Sequence, residues 1–152
     1  MKVVIMRHGD AVLGADHDAS RALTALGRQQ SRAMALWLQP QMTGPVRVLV
    51  SPYLRAQQTW QTIAELFPDA TMQTMDDLVP HGDASALTDY LYALESETQQ
   101  CLVISHLPLV GYLVANLVPG VMPPMFVTSA MAAVELEQGR GSLLWQQSPQ
   151  RL

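Results

Sequence analysis

Short apolar runs alternate with amphipathic segments along this chain, and this alternation most limits the fold it can adopt. Residues 2–6, 46–50, 71–75 and 102–105 read as strands, the third more weakly than the others. Nearly continuous apolar runs are typical of strands that are covered on both faces. The pattern therefore predicts a mostly parallel sheet between two layers of helices, a three-layer α/β/α sandwich.

Capping residues and helical spacing mark four helices between and after these strands. Thr24 is the predicted N-cap of a helix that ends near Leu38, and a second helix is expected to start at Ser51–Pro52. Asp83 is the predicted cap of the third helix, and Pro108 suits the first turn of the fourth. Each helix can thus connect two strands that follow one another along the chain.

The C-terminal part of the sequence predicts a hairpin. Runs at 130–136 and 142–146 flank the turn sequence EQGRG, which contains two glycines. No internal repeat, linker or low-complexity stretch interrupts the chain. With 152 residues, we expect a single domain that spans 1–152.

Composition excludes several classes of function. Apolar residues make up 49% of the chain and charged residues 14%, as in a well-packed globule, and the net charge of −4 gives no basic surface for nucleic acid or anionic membranes. The single cysteine, Cys101, lies in an apolar run and is expected to be a buried hydrophobe. No signal peptide or stretch long enough to span a membrane is visible, which favours the cytoplasm.

Polar residues stand where three of the predicted strands end. Arg7, His8 and Gly9 follow the first strand, Arg55 lies just after the second, and Ser105–His106 end the fourth. Because parallel strands present their carboxyl ends at one edge of a sheet, these side chains are predicted to converge there.

The charge of this cluster predicts a bound phosphoryl group. Two arginines and two histidines would repel one another unless an anion lies between them, and the guanidinium fork matches phosphate oxygens. Gly9 would allow the backbone to approach the anion, and the helix that starts near Pro108 would direct its amino end towards it. Since these motifs contain no cysteine, acidic cluster or Walker-type loop, a histidine is the expected nucleophile.

Three motifs in this order resemble the histidine phosphatase superfamily, which includes the phosphoglycerate mutases. They are RHG at 7–9, SPYLRAQQT at 51–59 and ISH at 104–106. The stretches DASRALTALGRQQ and ISHLPLVGYL and the short chain are similar to the bacterial phosphohistidine phosphatases of this family. The resemblance covers nearly the whole chain and implies a phosphoglycerate mutase-like fold.

The resemblance also implies roles for the clustered residues. His8 would attack phosphorus and become transiently phosphorylated, while Arg7, Arg55 and His106 would bind the phosphoryl oxygens. A water would then hydrolyse the phosphorylated His8. No metal or other cofactor is expected, because the arginines supply the positive charge.

The sequence departs from the family where many relatives carry a glutamate that protonates the leaving group. Here the region reads DDLVPHGD, with a proline at the expected position. An imidazole, with a pKa of about 6.5, leaves with little help, whereas an alkoxide does not. The departure therefore favours a phosphohistidine substrate, with Asp18, Asp77 and Asp83 as alternative acids.

Several residues keep two interpretations. Arg21 either contacts phosphate or the partner protein, or forms a surface salt bridge with Asp18. Ser105 is either the polar end of a strand or a substrate-binding residue whose hydroxyl orients a histidine. Three apolar residues after the fourth helix either fill the core or dock a partner protein: Met122, Met125 and Phe126. We expect His17 and His81 to be exposed loop residues.

We expect a cytoplasmic protein with phosphohistidine phosphatase activity that acts in a phosphorelay. It is expected to be a monomer and to bind a phosphate anion in its pocket. Its expected partner is a histidine-phosphorylated phosphotransfer domain or phosphocarrier protein, because a pocket without a lid admits a residue on a folded protein. Two alternatives remain at this point: a phosphatase for small phosphate esters that uses the same residues, and a non-catalytic module that binds phosphoproteins.

Overall fold

The computed structural model describes residues 1–152 as one six-stranded sheet with helices on both faces. The strands are β1 (Lys2–Arg7), β2 (Val46–Val50), β3 (Ala70–Thr74), β4 (Gln100–Ser105), β5 (Met131–Glu137) and β6 (Arg140–Gln147). The helices are α1 (Ala25–Leu38), α2 (Leu54–Ile63), α3 (Ala84–Leu94) and α4 (Leu109–Leu117).

The sheet has the strand order β3-β2-β4-β1-β5-β6. The first four strands of the chain run parallel, whereas β5 lies antiparallel to β1 and pairs with β6 in the final hairpin. The mostly parallel α/β fold with a C-terminal hairpin is therefore confirmed. In this order β1, β4 and β2 are adjacent, so their carboxyl ends lie next to one another.

Alternate residues of the central strands enter two separate cores. Val3 and Ile5 pack on one face of the sheet with residues of α3 and α4. Val4 and Met6 pack on the other face with residues of α1 and α2. Both faces of β1 are thus dry, and polar groups on this strand are confined to its ends.

Side-chain caps start two of the helices where the sequence predicts them. Thr24 Oγ1 accepts a hydrogen bond from the Gly27 amide at 3.0 Å, and Asp83 Oδ1 accepts one from the Ala86 amide at 3.1 Å. The predicted start of the second helix at Ser51–Pro52 is wrong, because α2 begins at Leu54. The Ser51 hydroxyl accepts the Tyr53 amide instead, which keeps this segment outside the helix.

The turn between β5 and β6 consists of Gln138 and Gly139, both with positive φ, 54° and 75°. Two consecutive left-handed residues match the twist of a tight hairpin, and glycine adopts this conformation without strain. The outer strand β3 begins one residue earlier than predicted and is mostly exposed, which explains its weak apolar pattern.

The exposed fraction of each side chain decides whether the apolar residues after α4 fill the core. Phe126 is buried, but Met122 and Met125 are 83% and 80% exposed, so the core-filling interpretation is wrong for both methionines. Cys101 is buried, as predicted, and burial raises its pKa to about 12. His17 and His81 are exposed, also as predicted. None of the helices is long and apolar enough to cross a membrane.

Candidate active site

A cavity of about 400 Å³ lies at the edge where β1, β2 and β4 end. The structure brings Arg7, His8, Arg55 and His106 together in its wall, and Arg21 joins them. The other lining residues are Asp10, Ala11, Leu13, Asp18, Pro80, Leu107 and Thr128. A second cavity, of about 410 Å³, lies at the opposite edge of the sheet and contains no histidine.

His8 is buried and holds its two ring nitrogens in different roles. Nδ1 lies 2.7 Å from the carbonyl oxygen of Gly9, and Nε2 lies 3.2 Å from Nε of Arg55. A carbonyl and a guanidinium fix the tautomer, because Nδ1 must donate and Nε2 must accept. Burial lowers the pKa of His8 to about 4, and the charge of Arg55 contributes to the same shift. At neutral pH, Nε2 therefore carries a lone pair.

Arg55 extends from the first turn of α2 into the cavity and is only 4% exposed. Its Nη1 donates to the main-chain oxygen of Asp18 at 2.7 Å, and its Nη2 donates to Asp18 Oδ2 at 3.2 Å. The other carboxylate oxygen of Asp18 accepts from Arg21 Nη1, also at 3.2 Å. Both interpretations of Arg21 therefore fit this structure, since it lines the cavity and forms the salt bridge at once.

A loop that precedes β5 holds the end of β1 in place. Arg7 donates from Nη1 to the Phe126 carbonyl at 2.9 Å, and its amide donates to Ala130 at 3.0 Å. The amide of Ser129, a buried residue with φ of 65°, donates to the His8 carbonyl. Within the protein, the buried Nε of Arg7 has no hydrogen-bond partner. This guanidinium therefore keeps a donor for another acceptor.

His106 lies 1% exposed beside His8, with 5.0 Å between the ring centroids. Its Nε2 is 2.7 Å from the hydroxyl of Ser51, while its buried Nδ1 has no partner within the protein. Burial, followed by the charges of His8 and Arg55, lowers the pKa of His106 to about 2. The ring is therefore neutral and carries a single N–H proton. That proton is on either Nε2, which faces Ser51, or Nδ1, which has no partner.

Gly9 and Ser105 occupy places that differ from their predicted roles. A Cβ on Gly9 would lie 2.7 Å from Ser31 Oγ and 2.9 Å from the Gly27 carbonyl, so this glycine permits the segment that follows β1 to pack closely against α1. The Ser105 hydroxyl donates to the Leu78 carbonyl at 2.7 Å. Neither residue lines the cavity, so this geometry does not support direct contact with substrate.

Of the three carboxylates considered as proton donors, Asp18, Asp77 and Asp83, the structure places only Asp18 in the cavity wall. Asp83 caps α3, and neither it nor Asp77 lines the cavity, whereas Pro80 and Asp18 do. The hydrogen bond from Arg21, together with that from Arg55, lowers the pKa of Asp18. Its carboxyl group is therefore ionised at neutral pH and is a poor proton donor.

Sequence reasoning missed two residues that shape this site, Ser51 and Asp10. Ser51 begins the SPYLRAQQT motif, but its contact with His106 joins the ends of β2 and β4 and leaves no periodic signal in the sequence. Asp10 lines the cavity and accepts a hydrogen bond from Thr24 Oγ1 at 2.7 Å. Because Asp10 directly follows the RHG motif, the sequence could have indicated that it lies near the site. No group of three or more His, Cys, Asp or Glu side chains is arranged to hold a metal ion.

Comparisons with known proteins agree with this geometry. Residues 3–81 match the family model of the histidine phosphatase superfamily (branch 1). The chain is 51% identical to phosphohistidine phosphatase SixA of Escherichia coli (strain K12), with 98% of this chain and 94% of that protein covered. It is 33% identical to a SixA homolog of Haemophilus influenzae, with 97% and 96% covered.

A solved structure of the protein histidine phosphatase SixA in complex with tungstate has the same fold. Its TM-score is 0.93 at 49% sequence identity, and the comparison covers 98% of this chain and 97% of that one. The matched motifs, the fold and the full-length similarity lead to one conclusion. This chain belongs to the histidine phosphatase superfamily.

Proposed function

We propose that this protein is a phosphohistidine phosphatase that removes the phosphoryl group from a histidine of another protein through a covalent phospho-His8 intermediate. Its similarity to SixA over nearly the full chain supports the reaction. The proposal treats residues 1–152 as a single histidine phosphatase domain.

The observation that carries the proposal is a neutral histidine beside three arginines in one cavity. The Nε2 lone pair of His8 is a nucleophile that needs no base, because the ring already lacks its second proton at neutral pH. Arg7, Arg21 and Arg55 provide the positive charge around it. Two buried nitrogens without a partner in the protein, Arg7 Nε and His106 Nδ1, belong to side chains that line the cavity in which the phosphoryl group would bind.

In the first step, Nε2 of His8 is released from its hydrogen bond with Arg55 Nε and attacks phosphorus. The bond from phosphorus to the substrate imidazole breaks, and the substrate ring, protonated on its other nitrogen, leaves as neutral imidazole. Negative charge on the transferring group is stabilised by the guanidiniums, which are already oriented by Asp18 and Phe126. In the second step, water attacks the phosphorylated His8, which releases phosphate and restores the free ring.

The two carboxylates that line the cavity, Asp10 and Asp18, both accept hydrogen bonds within the protein, and this matches an imidazole leaving group that needs no acid. The ionised Asp18 cannot readily give a proton to an alkoxide, and Pro80 lines the wall where relatives would carry their glutamate. A phosphohistidine that is protonated on its other ring nitrogen expels neutral imidazole, whose conjugate acid has a pKa of about 6.5, and needs no such assistance. We therefore expect phosphohistidine to be preferred strongly over phosphate esters.

The partner is proposed to be a phosphotransfer domain or a phosphocarrier of a cytoplasmic phosphorelay. A cavity of about 400 Å³ between loops suits a single projecting side chain. Exposed apolar side chains lie near it: Leu13, which is 91% exposed, lines the cavity itself, and Val127 follows the residue that holds Arg7. These side chains would contact the folded domain around the phosphohistidine.

The experiment compares hydrolysis of a histidine-phosphorylated carrier protein with hydrolysis of a panel of sugar phosphates. We expect rapid loss of label from the carrier and slow turnover of every ester. His8→Ala should abolish hydrolysis, and the exposed His17 provides a matched control in His17→Ala, which should retain it.

Two outcomes would contradict the proposal. Fast ester hydrolysis without action on phosphohistidine would assign the site to small phosphate esters. Binding of the phosphorylated carrier with no hydrolysis would indicate a non-catalytic module.

A further inference from the structure

Ser51 makes a contact with His106 that the proposed mechanism does not use. Its hydroxyl lies 2.7 Å from Nε2 of His106, and both side chains are buried, with 0% and 1% exposure. Ser51 is itself held firmly. Its amide donates to the Ile104 carbonyl, and its carbonyl accepts from Gln57.

Counting protons around the Ser51 hydroxyl distinguishes the two tautomers of His106. The hydroxyl oxygen already accepts the Tyr53 amide at 3.2 Å. If the ring proton were on Nε2, it would point at this same oxygen and leave the serine proton without an acceptor. If the ring proton is on Nδ1, the serine hydroxyl donates to Nε2 and every proton of the pair is used.

The second arrangement also suits an anion in the cavity. Nδ1 of His106 is buried and has no partner in the protein. A lone pair on this atom would repel a phosphoryl oxygen, whereas an N–H would donate to it. We propose that Ser51 is a positioning residue that holds His106 with its proton on Nδ1 and thereby presents a donor to the phosphoryl group.

Neighbouring groups fix the ring in the orientation that this role requires. The ring of Tyr53 packs edge-on against His106, with 5.0 Å between centroids, and the Arg55 guanidinium lies 5.0 Å from the Tyr53 ring centre. Burial keeps the ring neutral through its lowered pKa, so a single proton must be placed correctly. The inference rests on the proposed function, because a donor on Nδ1 matters only when an anion is bound.

Nitrogen NMR of the unmodified protein tests the tautomer directly. In a sample labelled with ¹⁵N in histidine, two-bond correlations between ring protons and nitrogens identify which nitrogen of His106 carries the proton. We expect Nδ1 to be protonated and Nε2 to be bare at neutral pH. A spectrum with the proton on Nε2 would overturn the proposal, whatever the activity of the enzyme.

Variants test whether Ser51 sets this tautomer. Ser51→Ala is expected to move the proton from Nδ1 towards Nε2 and to lower kcat roughly tenfold with little change in KM, the cost of one lost hydrogen bond. Ser51→Thr keeps the hydroxyl and should retain the Nδ1–H signal. Thr88→Val is the matched control, because it removes a buried hydroxyl that donates to the Ala84 carbonyl within α3 and does not line the cavity.

The outcomes separate this inference from the proposed function. If the unmodified protein does not hydrolyse phosphohistidine at all, the proposed function is refuted. The NMR spectrum still shows which nitrogen of His106 carries the proton. An Ser51→Ala protein that folds, keeps Nδ1–H and retains full kcat would show that Ser51 does not position His106.

Discussion

Acid should destabilise this protein through the buried His8, and the size of the effect follows from its environment. Burial lowers the pKa of His8 from 6.5 to about 4, so the folded state resists a proton that the unfolded state accepts. Between these two values the unfolded chain binds more protons, and the free energy of unfolding therefore falls as pH falls. The contribution of His8 is complete above pH 6.5 and is lost as pH approaches about 4.

The magnitude is obtained from the width of this window. One pH unit corresponds to about 1.4 kcal/mol for a single proton. Lowering the pH from 7 to about 4.5 crosses roughly two units of the window, which gives a loss of roughly 2.5 kcal/mol from His8 alone. His106, which burial shifts in the same direction, adds to the loss in every protein that retains it.

Urea denaturation at several pH values measures this loss. We expect His8→Asn to lose roughly 2 kcal/mol less stability than the unmodified protein between pH 7 and about 4.5, because Asn does not titrate. His17→Asn is the control, since His17 is exposed, and its pH dependence should match the unmodified protein. Identical pH dependence of the unmodified protein and His8→Asn would refute the reasoning that His8 is buried in its neutral form.

Three further substitutions test separate contacts. Arg55→Ala should lower kcat about 10²-fold to 10³-fold while circular dichroism stays unchanged, because it removes donors aimed at developing charge; unaltered turnover would show that Arg55 does not contact phosphate. Asp18→Asn should lower the inhibition constant of inorganic phosphate roughly threefold, since the carboxylate engages the same guanidinium donors; weaker inhibition would contradict this competition. Gly9→Ala should cost about 1–3 kcal/mol in urea denaturation, because its Cβ meets the Gly27 carbonyl at 2.9 Å.

Each of these substitutions has a matched control in the chain. Arg32→Ala removes an exposed arginine that pairs with Glu65 far from the cavity, and activity should persist. Asp10→Asn removes a carboxylate that lines the same cavity without contacting Arg55, and it should change phosphate inhibition less than Asp18→Asn. Gly14→Ala adds a Cβ with no atom within 4 Å, so an equal loss of stability there would argue against the packing role of Gly9.

The sequence was informative where the physical cause is local. Apolar runs predicted the central strands to within about two residues at each end, and Thr24 and Asp83 predicted two helix starts, because a strand or a cap depends on a few consecutive residues. The parallel order of the strands then explains why Arg7, Arg55 and His106 lie in one cavity. This step required only that parallel strands end at the same edge.

The remaining features depend on contacts between distant segments. The sequence offered a salt bridge between Arg21 and Asp18 as one interpretation, but nothing in the local pattern shows that the same carboxylate also pairs with Arg55. That pairing depends on how the loop after β1 folds over α2. The hydroxyl of Ser105 could not be assigned from its position at the end of β4, and it bonds to Leu78 rather than facing the cavity. Exposed Met122 and Met125 look like core residues by composition alone, although their loop leaves them in solvent.

The position of the phosphoryl group during turnover tests the central claim most directly. The protein is mixed with a stoichiometric amount of ³²P-labelled phosphohistidine carrier, stopped in alkali within one turnover, and digested for mass spectrometry. The mechanism predicts transient label on the peptide that contains His8, with phosphate release following its decay. Label on a different residue, or complete hydrolysis with no label on His8 at any time, would contradict it.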